Sequence, residues 1–205
     1  MTEQPKSKFV VMFKRFERFW HWAQATVIIL LILTGLEMHG LFVLFGFGDS
    51  VNIHNYLGFF WTGLVVLIYT WILTTGEWQQ YFPTLKGVDV TIRYYLLGVF
   101  KGEKHPYHAT PDDKFNPLQR LGYIAILFGL VPFQIITGFA FYFFPDLRAA
   151  GVIGHVDLIA WIHTFNAYAF ISFIVIHIYM TTFGKKVTSH IKAMITGKEE
   201  IDNDH

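Results

Sequence analysis

The sequence predicts an all-α membrane protein: one four-transmembrane-helix bundle over residues 1–205, with both termini cytoplasmic. Three observations predict it. First, the 205 residues are 53% hydrophobic and 19% aromatic, with a mean hydropathy of +0.40. A soluble domain of this size must cover itself with a water-facing surface and rarely reaches that value. Second, four apolar runs of about 20 residues or more carry few charges, the length a bilayer core requires. Third, the basic residues are segregated. Lys6, Lys8, Lys14, Arg15 and Arg18 precede the first run. Lys86, Arg93, Lys101, Lys104, Lys114 and Arg120 lie between the second and third. Lys185, Lys186, Lys192 and Lys198 follow the last, and Arg148 alone falls elsewhere. Lys and Arg collect on the cytoplasmic side of membrane proteins, so three separate segments agree on the same orientation.

The elements follow in order. Residues up to Arg18 are polar and charged, unlike a cleavable signal peptide, so the first run, roughly 19–38, reads as an uncleaved anchor. The second run covers 54–75, the third 118–144 and the fourth 158–183. The loop 76–117 between the middle runs is cytoplasmic by charge. Its segment Gly87 to Phe100 alternates polar and apolar residues and reads either as an amphipathic helix on the inner surface or as an ordinary loop. Trp20, Trp22, Trp61, Trp71 and Trp78 lie near run ends or within runs, where tryptophan anchors a helix at the interface. The chain has no cysteine. That excludes a covalently attached haem, cysteine-ligated iron–sulfur clusters and disulfides.

The fourth run holds His163 and His177 fourteen residues apart. Fourteen helical residues rise about 21 Å in nearly four turns, so both imidazoles share almost one face at two depths. Such a pair reads as axial ligands for two stacked haems or as two hydrogen-bonded core histidines. Orientation gives each histidine a depth. His21 begins the first run near the cytoplasm, His54 begins the second near the outer face, His163 is outer and His177 inner. The depths pair His54 with His163 outside and His21 with His177 inside, as two bis-histidine metal sites would require. His39 is the rival to His54, and His155 belongs to an outer loop. His105, His108, His190 and His205 sit in polar cytoplasmic stretches, solvated or proton-handling. Gly35, Gly122, Gly129 and Gly138 admit either a flat ring or a neighbouring helix. Asn116-Pro117 suits the start of the third helix, with Asn116 as its cap.

These segments resemble a known family, the di-haem cytochrome b (gamma) subunits of respiratory formate dehydrogenases and the related subunits of nickel–iron hydrogenases and thiosulfate reductases. The residues that carry the resemblance are Phe16-Glu-Arg-Phe-Trp-His21-Trp, Ile53-His54-Asn-Tyr-Leu-Gly58, Val99-Phe-Lys-Gly-Glu-Lys104, and Lys114-Phe-Asn116-Pro-Leu-Gln119-Arg120. His163-x13-His177-Ile-Tyr-Met followed by Ile191-Lys-Ala-Met-Ile-Thr-Gly197-Lys is the most specific of them, and implies an amphipathic cytoplasmic tail over 184–205. The resemblance implies two haem b groups on the pairs that depth selected. It also implies a quinone, menaquinone in the family, near the inner haem, with Asn116 at the contacting position and Gln119 beside it.

The expected function is transmembrane electron transfer in a bacterial or archaeal inner membrane. An outer-face partner with iron–sulfur clusters or c-type haems, attached to a catalytic subunit, would exchange electrons with the quinone through this chain. Reverse flow, from quinol to an outer reductase, would use the same residues. Partners are lipid, quinone and protein, with no nucleic acid. The alternative of another class is a non-redox four-helix membrane protein whose histidines relay protons.

Overall fold

Apolar runs become helices wherever backbone groups have no other partner, because in lipid each N–H and C=O must be satisfied within the chain. The computed structural model describes residues 8–103, 105–107, 109–184 and 186–201. Lys6, Lys104, His108, Lys185 and His205 lie outside the described residues. In chain order the elements are a strand β1 (Lys8–Val11), helices α1 (Arg15–Met38) and α2 (Phe47–Thr75), a 3-10 turn at Glu77–Tyr81, and α3 (Val88–Arg93). A π turn at Tyr94–Gly98 and a 3-10 turn at Val99–Lys101 follow. Then come α4 (Pro117–Ile124), a π segment at Ala125–Leu130, α5 (Val131–Tyr142), α6 (Phe144–Ala149), α7 (Val156–Thr181), α8 (Ser189–Thr196) and a strand β2 (Lys198–Ile201).

Four helical stretches are long and apolar enough to cross a membrane: Arg15–Met38, Phe47–Thr75, Pro117–Tyr142 and Val156–Thr181. Their outward faces are apolar, with Tyr56, Phe60, Leu73, Trp161 and Phe165 all well exposed. That surface suits lipid rather than water. The bounds correct the expected ones. The second span begins at Phe47, seven residues before His54, so His54 lies about 10 Å inside its helix rather than at the tip. The cause is Glu37. Its Oε1 accepts the backbone N–H groups of Leu44, Phe45 and Gly46 at 2.7, 2.8 and 2.7 Å, and its Oε2 accepts the Ser50 hydroxyl at 2.5 Å. A carboxylate there satisfies orphan donors and complements the positive end of α2, so the helix starts earlier than hydropathy suggests. The third span ends at Tyr142, and Pro145 opens the separate short helix α6.

The chain forms two compact units. One takes in Trp20–Thr75 and Ala125–Val175. Its core is Val27, Trp61, Leu64, Val65, Ile126, Val131 and Phe170, with Trp61 edge-on to Phe170 at 5.8 Å. Its π segment precedes Pro132. In a π ladder the carbonyl of Leu127 would accept from residue 132, and proline has no N–H to give. The Tyr69 hydroxyl donates to that carbonyl instead, and Asn166 Nδ2 donates to Leu130 O at 2.9 Å.

The other unit takes in the described parts of Met1–Phe19, Gly76–Ile124 and Ile176–His205. Here the helical fold gains one short β ladder, for β1 and β2 pair antiparallel with Phe9 opposite Glu200. Among the described residues of the tail 184–205, α8 is the helical stretch. It turns at Gly197, whose φ of 83° brings its carbonyl to Met12 N and Phe13 N at 2.9 and 3.2 Å. Any Cβ there would meet Phe13 O at 2.8 Å. The two ends of the chain are thereby tied together. Lys114, with a 2% exposed side chain, sits between Glu17 and Glu77 at 2.7 and 3.7 Å, and Glu77 also pairs with Lys14. The expected amphipathic segment 87–100 is helical over Val88–Arg93 and continues as a π turn.

Candidate metal centre

His54 and His163 meet. Each lies seven residues into its helix, α2 and α7, and their ring centres are 6.3 Å apart at 73°. The same local step supports both. Thr34 and Gly35 on α1 face His54: Thr34 Oγ1 is 2.9 Å from Nδ1, and a Cβ on Gly35 would lie 3.6 Å from Cε1. Thr137 and Gly138 on α5 face His163: Thr137 Oγ1 is 3.0 Å from Nδ1, and a Cβ on Gly138 would lie 3.3 Å from Cε1. Gln134 Nε2 lies 3.0 Å from His163 Nε2, and Gln134 Oε1 accepts from Asn166 Nδ2 at 2.7 Å. Sequence reasoning missed Thr34 and Thr137. The signal was present as a short repeat, Ile32-Leu-Thr-Gly35 and Ile135-Ile-Thr-Gly138.

This arrangement fits a metal held between two imidazoles. A first-row metal sits about 2 Å from an imidazole nitrogen, itself about 1.1 Å from the ring centre, so opposed ligands place their centres about 6.2 Å apart. The glycines keep side-chain bulk off both rings. Gln134 Nε2 lies against His163 Nε2, and its unbranched side chain would have to turn aside for that nitrogen to take a metal.

The other expected residues are placed separately. His21, in the second turn of α1, is half-buried with its ring edge-on to Trp22 at 5.1 Å. His177 is half-buried four residues before the end of α7, and the unbroken helix from His163 keeps both on nearly one face. His21 belongs to one compact unit and His177 to the other. His39 follows α1, exposed, 3.3 Å from Thr164 Oγ1, and His155 is exposed ahead of α7.

Asn116 and Gln119 form a reciprocal cap on α4. Asn116 Oδ1 accepts Gln119 N and Gln119 Oε1 accepts Asn116 N, each at 2.9 Å. Asn116 is 2% exposed, and its Nδ2 donates to the Tyr95 hydroxyl at 3.1 Å, which lies 3.1 Å from His105 Nε2. Burial, first, and the neighbouring Tyr94 push the Tyr95 hydroxyl up to about 12, against the Asn116 hydrogen bond.

The model of the family described as "Prokaryotic cytochrome b561" matches residues 12–197. The chain belongs to the prokaryotic cytochrome b561 family. It is also 31% identical over 210 residues to "Putative cytochrome YdhU" of Escherichia coli (strain K12), a match covering 92% of this chain and 74% of that protein. The protein is therefore a multi-pass membrane cytochrome b, and membership implies haem b. That sets aside the non-redox proton relay.

Proposed function

We propose that this chain is the membrane-anchoring, di-haem subunit of a respiratory oxidoreductase complex. It carries electrons between an outer-face partner and a quinone near Asn116 and Gln119, as in formate dehydrogenase, hydrogenase or thiosulfate reductase assemblies. The observation that carries the reading is the facing pair His54–His163 at 6.3 Å, inside a chain of a cytochrome b family. Bound haem supplies a reversible one-electron step at its iron. His54 and His163 hold the outer group. His21 and His177 hold the inner one, a pairing that rests on their depth in the sequence and the family resemblance. The antiparallel tie between β1 and β2 supports an even number of crossings, and the basic segments support both ends being cytoplasmic.

At the cytoplasmic end, Asn116, Gln119, Tyr95 and His105 border the quinone, menaquinone by the resemblance. The hydrogen-bonded run from Asn116 through Tyr95 to His105 offers protons a route. Inward electron flow with protons taken from the cytoplasm would store about 2.3 kcal/mol per charge per 100 mV. The partner brings the electrons through iron–sulfur clusters or c-type haems from its catalytic subunit. The test is the reduced-minus-oxidised visible spectrum and extracted haem content of the purified chain. Two b-type haems per chain are expected; one or none would overturn the di-haem reading.

A further inference from the structure

We infer that Thr34 and Thr137 are the positioning residues of the His54–His163 centre, each fixing its histidine in one tautomer and setting the ligand strength of Nε2. The inference rests on the ligand assignment above. It follows from counting protons. A threonine hydroxyl has one proton and two lone pairs. Thr34 Oγ1 donates its proton back along its own helix, to Leu30 O at 2.9 Å. Thr137 Oγ1 does the same to Phe133 O at 2.7 Å. With that proton on the helix carbonyl, each oxygen is left to accept from the imidazole beside it, and the inference assigns the proton of His54 and His163 to Nδ1.

That leaves the lone pair on Nε2. The contact to Gln134 agrees, because an amide N–H donor points at His163 Nε2 while Asn166 occupies the amide oxygen. Both threonines are buried, Thr34 at 0% and Thr137 at 8% exposure, so water does not compete for the bond. The glycine after each threonine lets the ring approach. One Thr-Gly step thus appears twice, on α1 and α5, serving one ligand each. An acceptor on Nδ1–H raises the basicity of the coordinating nitrogen and favours the oxidised metal. Losing it weakens the ligand, with effects of about 10- to 100-fold for such neighbours.

Thr34→Val and Thr137→Val keep the shape and remove the acceptor. Potentiometric titration of the purified haem-loaded protein should show one of two b-type waves moved to higher potential. A tenfold change in preference for the oxidised state is about 59 mV for one electron. The second wave should stay in place, and Thr34→Ser and Thr137→Ser should restore the first. Loss of that haem in both valine variants, with retention in both serine variants, supports the inference equally. Unchanged potentials in the valine variants, or serine variants as shifted as the valine ones, would overturn it. His163→Ala serves as the control: if it leaves haem content unchanged, the ligand assignment fails instead.

Discussion

The imidazoles of His54 and His163 lie 6.3 Å apart, centre to centre, although 108 residues of chain separate them. Each is seven residues into its helix, so the pair sits about 10 Å beyond the helix starts. Removing either ring should therefore remove the same haem. His54→Ala and His163→Ala are each expected to halve the haem content and to leave the same residual b-type spectrum. Two different residual spectra would show that the rings serve different groups.

Asn116 caps α4 and donates to Tyr95 through different atoms, so the two roles can be separated. Aspartate is as good a cap as asparagine but lacks the donor. Asn116→Asp should keep both haems and near-native stability while slowing quinone reduction. Asn116→Ala should slow it too and cost about 1 kcal/mol from the lost cap. Steady-state quinone kinetics beside unfolding in detergent check both; unchanged kinetics in both variants would refute the quinone assignment.

Lys114 is buried between Glu17 and Glu77, with Lys14 as the other cation of the cluster. Lys114→Met leaves two carboxylates with one exposed lysine. Breaking a buried pair by removing one partner costs about 3 kcal/mol or more, because a charge is left uncompensated. Denaturant unfolding should register that loss. The double change Lys114→Met with Glu17→Leu should recover most of it.

Tyr95 gives a pH signature. Its hydroxyl is pushed up to about 12 by burial, whereas an unfolded tyrosine ionises near pH 10. Between those values the folded state holds the proton that the unfolded state has lost. Stability from this group is thus intact below about pH 10 and falls as pH rises toward 12. Tyr95→Phe should flatten the stability profile across that window, as followed by thermal unfolding. A slope identical to the parent's would remove Tyr95 as its cause.

Four spans and the four ligand candidates were legible in sequence because length, hydropathy and helical spacing are local properties. His163 and His177 share a helix face by arithmetic alone. The early start of α2 was not legible, because Glu37 acts across a turn on N–H groups that hydropathy does not register. Tyr69 and Asn166 satisfying the carbonyls before Pro132 was equally hidden, since each donor comes from another helix. The β1–β2 tie joins residues almost 190 apart, and neither strand announces its partner.

The sequence by itself determined the membrane class and, through its motifs, the likeness to membrane cytochromes b, and it singled out the candidate histidines by charge placement and spacing. Tertiary structure decided that His54, not His39, faces His163, and that Thr34 and Thr137 hold the two rings. Hydrogen-bond partners two or three helices apart depend on how helices rotate and pack, and no local pattern in a single chain encodes that rotation.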